Sequence, residues 1–232
     1  MPDSSLAQLL RLDSPPVAIA FVDAPPEGVP RVAASEPAGC GYWRRAAEGE
    51  VFYTLADDHK RCPIGAHTHN VPLTPADQQE LMGLVGTMVE LSYIRLEEVP
   101  QIPTRRSPLR VAVYAPLSNT PVEPDVVLVR GKARQLMLLA EAAQAAGVAG
   151  AVPTMGRPTC AALPEAINSE RTAASFGCIG NRVYTGAGDD EAYFAIPGGQ
   201  LAALEAKLAV IVRANEELET FHRARAAAGD RP

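Results

Sequence analysis

Four cysteines are the residues of this chain best suited to chemistry, because they fall into two similar pairs. The pairs are Cys40 with Cys62 and Cys160 with Cys178. The first cysteine of each pair opens a short helix-like run, and the second comes just before an Ile-Gly step. Four thiolates that approach from different directions are the ligand set of a four-iron cluster or a structural zinc ion. The pairing therefore predicts one shared metal site at Cys40, Cys62, Cys160 and Cys178. The expected cofactor is an iron–sulfur cluster of the 4Fe-4S type, with zinc as the alternative.

Two other interpretations stay open at this point. Neither pair has the C-x-x-C spacing of zinc ribbons, and free cysteine is often a buried, inert residue. The chain could then be a non-catalytic module that binds a small ligand, braced by structural zinc or by reduced thiols. Alternatively, Cys62 or Cys178 could form a reversible disulfide with its partner, as in a thiol redox protein.

Three histidines surround Cys62 in the sequence HKRCPIGAHTH. His59 is the candidate for a general acid or base, or for a ligand, because it is near Cys62 and histidine titrates near neutral pH. His67 and His69 would lie on one side of an extended strand, where they could help to bind zinc. A solvated polar loop is the favoured interpretation of these two residues.

Charged and amide side chains also lie beside the second cysteine pair. Arg157 precedes Cys160, and Asn181 and Arg182 follow Cys178. Cationic and amide donors in these positions predict a pocket for a small anionic ligand next to the cysteines, with surface solvation as the alternative.

Composition excludes several classes of function. The 232 residues carry a net charge of −6 and no block of basic residues, which argues against nucleic acid as a partner. The amino terminus does not resemble a secretion signal, and no apolar run is long enough to span a membrane. We therefore expect a cytoplasmic protein whose partner is a small molecule or a redox protein, in a redox or cluster-dependent role.

The elements that must position these residues are strands and amphipathic helices. One helix is predicted to begin with Thr74 as its N-cap and Pro75 in its first turn, and another to end at Gly147. A terminal helix from Gly198 carries an apolar stripe, which is a possible contact surface for a homodimer. Strands are predicted at 17–22, 51–55, 110–116, 125–131 and 193–197. This mixture predicts an α/β or α+β fold.

The proline-rich segment 99–108 divides the chain near its middle. Together with the two cysteine pairs, it suggests a single domain, residues 1–232, built from two related halves at about 15–93 and 109–214. Each half would contain a short sheet and helices, and the cysteine loops would meet between the halves. A chance resemblance between the halves is the alternative.

Several motifs together resemble a known family. The motifs are PPVAIAF, C-x-x-W-x-x-A-x-x-G around Cys40, H-x-x-C-x-x-G around Cys62, VVLVRGKARQLMLL, GRPTC at Cys160, and SFGCIGNRVYTGAGDDEAYFAIPG at Cys178. Over residues 9–211 the chain resembles domain of unknown function 169, found in bacteria and archaea. The resemblance implies a soluble prokaryotic domain with characteristic cysteine-bearing segments, in which iron–sulfur or other metal binding is the expected role.

Overall fold

One six-stranded sheet organises the fold, with helices packed against both of its faces. The computed structural model describes residues 5–150 and 158–229. The strands are β1 (Val17–Val22), β2 (Phe52–Leu55), β3 (Val111–Pro116), β4 (Val126–Lys132), β5 (Ala173–Ser175) and β6 (Glu191–Pro197). The α-helices are α1 (Ser5–Leu10), α2 (Gly39–Ala47), α3 (Pro63–Thr68), α4 (Pro75–Glu90), α5 (Ala133–Ala146), α6 (Ala162–Ser169), α7 (Ile179–Thr185) and α8 (Leu201–Gly229).

The strand order is β2-β3-β1-β4-β6-β5, and the paired strands of the described residues run antiparallel. Ile19 of β1 pairs with Tyr114 on one side and Val126 on the other. An antiparallel sheet with separate helices confirms the α+β alternative. The finer expectation of a short sheet in each half is wrong, because β3 lies between β1 and β2 and joins strands of both halves into one sheet.

Side chains of successive strand residues point to opposite faces, and the two faces have different cores. Val126 and Leu128 face a core shared with α2, α3 and α6. Val127 and Val129 face a core shared with α1, α5 and α8. Cys40 and Cys160 pack against the first of these two cores, so the cysteines lie on the face of the sheet that α2, α3 and α6 cover.

The predicted helix ends are confirmed at two positions. The Thr74 hydroxyl accepts a hydrogen bond from the Asp77 backbone amide, and the Asp77 carboxylate accepts one from the Thr74 amide at 2.8 Å. Gly147 ends α5 in the left-handed conformation, with φ of 73°, which glycine adopts without a steric penalty. Among the described residues, no helix combines the length and the apolar character needed to cross a membrane.

The apolar stripe of α8 packs within the chain. Leu204 and Leu208 are fully buried, and they share a core with Leu139 of α5. Much of the surface that the sequence suggested for a homodimer is therefore already covered by the fold itself.

The proline-rich segment is attached to the fold on both sides. The Arg105 amide donates to the Thr68 carbonyl at 2.9 Å, at the end of α3. The Asn168 side chain, on α6, donates to the Thr104 carbonyl at 2.8 Å. This segment therefore holds α3 and α6 in place, and these are helices next to the cysteines.

Candidate functional site

Four segments, each at the start of a helix, bring the cysteines to one cavity. Cys40 is in the first turn of α2, and Cys160 lies in a 3-10 turn that leads directly into α6. Cys62 and Cys178 are the N-cap residues of α3 and α7. All four cysteines line the same cavity, and all are free thiols that are partly accessible from it. The predicted meeting of the cysteine segments is thus present in the fold.

The two N-cap cysteines have the same local geometry. The Cys62 sulfur accepts a hydrogen bond from the Gly65 amide at 3.4 Å, and the Cys178 sulfur accepts one from the Asn181 amide at 3.5 Å. An N-cap side chain normally satisfies a free amide of the first helical turn, a role that Ser, Thr, Asp or Asn usually fills. Burial raises the pKa of the Cys62 thiol, and the Gly65 N–H directed at its sulfur partly opposes that rise.

Two buried threonines hold the cysteine segments together. The Thr159 hydroxyl accepts a hydrogen bond from the Cys178 amide, which fixes the turn of Cys160 against the start of α7. The Thr68 hydroxyl donates to the Gly65 carbonyl at 2.9 Å and lies close enough to Cys160 to lower the pKa of that thiol. These contacts tie α3, α7 and the turn that carries Cys160 into one unit.

Burial dominates the acid–base chemistry of the cysteines. It raises the pKa of Cys40 to about 12; the Asn181 side chain opposes this rise, while Cys62 and Cys178 add to it. Burial also raises the pKa of Cys62, and that of Cys160 by more. Because burial, and after it repulsion between neighbouring thiolates, disfavours the charged form, these three cysteines are neutral thiols near pH 7 unless a cation lies among them.

The described residues do not contain a preformed ligand set. In the part of the chain that the structure describes, no three His, Cys, Asp or Glu side chains are grouped so that they could hold a metal ion. The four sulfurs line a common cavity but do not converge on one point. A metal would therefore require the cysteine side chains to turn toward each other.

His59 lies away from the cavity lining and is fully buried. Its Nε2 atom is 2.8 Å from the Thr54 hydroxyl, and its ring packs against Tyr42 and His69. Burial, with a smaller contribution from His69, lowers its pKa to about 3. His59 is thus a neutral core residue in this structure. Because it does not line the cavity, the structure does not support the acid–base role expected from the sequence.

His67 and His69 both line the cavity. His67 lies in α3 and His69 is its C-cap, so the expectation of an extended strand is wrong. The expectation of a solvated loop is also wrong for His69, because that residue is buried. The reason is local: Cys62 caps the helix and Pro63 occupies its first position, which together start a helix that the strand interpretation did not consider. The His69 Nδ1 atom is 2.9 Å from the Gly65 carbonyl, and burial lowers its pKa to about 4.

The three residues predicted to bind an anion have different positions. Asn181 lines the cavity and is buried, in agreement with a site role. Arg182 does not line it; its guanidinium donates instead to the carbonyls of Phe176, Gly188 and Glu191, so it braces the loops around α7. Arg157 lies outside the described residues.

The cavity has a volume of about 630 Å³, and its far wall comes from α4 and the segment that follows. An apolar stripe at helical spacing runs along α4 to its C-cap and consists of Leu81, Leu84, Val85, Met88 and Leu91. In the structure only Val85 of this stripe is buried, and its neighbours Leu84 and Met88 are half-buried against the cavity. Glu98 and Gln101 are the charged and amide residues of this wall, and its apolar and aromatic side chains are Leu81, Met82, Leu84, Val85, Met88, Tyr93, Ile94, Val99 and Ile102.

Comparison with known proteins identifies the family to which the chain belongs. A search of curated proteins and a search of solved structures each found no match. A family model described as uncharacterised ArCR, which is domain of unknown function 169, matches residues 5–207. This match covers all four cysteines and the wall of the cavity. The chain therefore belongs to the domain of unknown function 169 family.

Proposed function

We propose that this protein binds a metal centre, specifically an iron–sulfur cluster of the 4Fe-4S type, through Cys40, Cys62, Cys160 and Cys178. The observation that carries the proposal is that the only four cysteines of the chain, from four separate segments, line one cavity. Four cysteines without a common role would have no reason to line a single cavity. Soft thiolate ligands of this number suit an iron–sulfur cluster or zinc.

The surroundings of the sulfurs support this assignment. Backbone amides already donate to the Cys62 and Cys178 sulfurs, and hydrogen bonds to sulfur are one way in which proteins tune such clusters. The raised pKa values of Cys40 and Cys160 mean that ionisation needs compensating positive charge. A metal centre supplies that charge and deprotonates the thiols on binding.

Binding would require small movements of the side chains. Rotation about the first side-chain torsion moves a cysteine sulfur without a change in the backbone. Three of the four backbone segments, α3, α7 and the turn that carries Cys160, are already held together by Thr68 and Thr159. When bound, an iron–sulfur cluster supplies one-electron transfer, while Asn181, buried beside Cys40, would orient a group next to it.

The proposed setting is a reducing cytoplasm, where paired cysteines remain available as ligands. A redox protein or a small molecule would be the partner. A thiol redox function receives less support from the structure, because a raised pKa leaves Cys40 and Cys62 mainly in the unreactive thiol form.

The direct test is the visible absorption of protein purified or reconstituted without oxygen. We expect a broad brown absorption that disappears on oxidation and is strongly reduced in each Cys→Ser variant. A matched control is Thr185→Ser, a conservative change on the cysteine-bearing helix α7 at a residue that does not line the cavity. This variant should keep the absorption. A colourless protein that binds zinc instead would contradict the iron assignment, and one that binds neither metal would contradict the whole proposal.

A further inference from the structure

The wall of the cavity formed by α4 has the composition of a ligand site. In a surface helix the apolar stripe normally packs into the core. Here Leu81, Leu84 and Met88 are only half-buried, because they face a cavity of about 630 Å³. This volume is within the range of sites that bind small organic molecules, and such sites have mainly apolar linings with few polar groups.

Charge on the described part of the lining disfavours an anion. Among the described residues that line the cavity, Glu98 is the only carboxylate, and none is Lys or Arg. Arg182, expected to bind an anion, is engaged by backbone carbonyls elsewhere. Burying a carboxylate against such a wall without a cation would be strongly unfavourable.

His69 supplies a buried hydrogen-bond acceptor at the cavity. Its Nδ1 atom is 2.9 Å from the Gly65 carbonyl, which can only accept, so Nδ1 carries the proton. The neutral ring therefore has a lone pair on Nε2. That atom is shielded from solvent and has no hydrogen-bond partner in the described part of the chain, although buried polar groups normally have one.

Asn181 is another buried polar residue on the lining. It is 2% exposed, and its side-chain amide lies close enough to Cys40 to lower the pKa of that thiol. Neither its nitrogen nor its oxygen, however, makes a hydrogen bond of normal geometry within the described residues. An amide in this state can both donate to and accept from a neighbouring group.

We propose that the cavity binds a neutral small molecule with an apolar body and a head group that both donates and accepts hydrogen bonds. The body lies against α4. The head group donates to His69 Nε2 and exchanges hydrogen bonds with Asn181 after small rotations of these two side chains, whose polar atoms are shielded from solvent in this structure. This site differs from the predicted site for a small anion. The proposed ligand site is separate from the proposed metal centre and does not require a bound metal. The α4 wall, His69 and Asn181 are not metal ligands in that proposal.

Three aromatic probes test the chemistry of the ligand by calorimetry. Naphthamide has the proposed head group, naphthoate replaces it with an anion, and methylnaphthalene has no polar head. We expect naphthamide to bind about tenfold more tightly than either of the others, the effect of one good hydrogen bond. Preferred binding of naphthoate, or no binding of any probe, would overturn the proposal.

Variants separate the apolar wall from the polar end. Leu84→Trp fills the cavity and should abolish binding of all three probes, whereas Val89→Trp, on the same helix but outside the lining, should leave it unchanged. His69→Phe and Asn181→Leu should remove the preference for naphthamide over methylnaphthalene. Circular dichroism verifies that each variant is folded, and a preference retained in both polar variants would refute the assigned head-group contacts.

The measurement is made on protein as purified and again after metal removal with a chelator. Probe binding in both preparations is expected, because the site does not depend on the metal. Loss of iron with retained probe binding leaves this proposal intact even if the metal proposal fails. Probe binding that required bound metal would contradict the independence of the two sites.

Discussion

Two buried neutral histidines should make the stability of this protein unusually sensitive to mild acid. His59 and His69 are 2% and 1% exposed, and burial lowers their pKa values to about 3 and about 4, from 6.5. In the unfolded chain both would bind protons below pH 6.5, whereas the folded protein excludes those protons. Their contribution to stability is therefore complete above pH 6.5 and is lost as the pH falls toward 4.

The magnitude follows from proton linkage. Each histidine lowers the free energy of unfolding by about 1 kcal/mol between pH 6.5 and pH ~5.5, so the pair lowers it by about 2 kcal/mol. The half-buried His67, whose pKa burial also lowers, adds a smaller loss of the same sign. A change of this size is a substantial part of the stability of an ordinary domain.

Urea unfolding followed by circular dichroism at the two pH values measures this loss. His59→Gln should roughly halve it, whatever the absolute stability of the variant, because one of the two proton-linked groups is gone. His222→Gln, a change at an exposed histidine of α8, should leave the loss unchanged. A stability that stays constant within about 0.5 kcal/mol over this pH range would refute the reasoning.

Two further predictions concern the cap of α4 and the close packing of the backbone at Gly198. Thr74→Ala removes the hydroxyl that caps α4, so the free energy of unfolding should fall by about 1 kcal/mol in urea titrations; an unchanged value would show that the cap is dispensable. Gly198→Ala places a methyl group against the Pro124 carbonyl oxygen and should cost about 3 kcal/mol or more, whereas Gly199→Ala, with open space around it, should change stability by about 0.5 kcal/mol or less. Equal thermal midpoints for these two variants would contradict the close packing at Gly198.

Local sequence signals predicted the helix ends and the strands well. Thr74 and Gly147 have short-range roles, in which a side chain or a backbone conformation satisfies groups only a few residues away. The strand from Val17 to Val22 has the predicted bounds because its β-branched run ends at turn residues. The pairing of strands depends on contacts between distant segments, so the position of β3 between β1 and β2 could not be read from either half.

The site was predicted in part. The four cysteines were identified because they recur in similar settings, and the fold places them on one cavity. His69 was named as a possible zinc ligand, but its polar neighbours favoured a solvated loop, and the N-cap role of Cys62 that places it on a helix is a rare signal. Arg182 looked like a ligand residue because a sequence does not show that backbone carbonyls will surround a guanidinium.

The central claim is that Cys40, Cys62, Cys160 and Cys178 together hold an iron–sulfur cluster. Its most direct test is the amount of iron and acid-labile sulfide per chain after anaerobic reconstitution. The account predicts about four of each per chain in the unmodified protein, with both lost together when any one cysteine is replaced by serine. Protein that retains neither iron nor sulfide, with all four thiols still free to react, would contradict it.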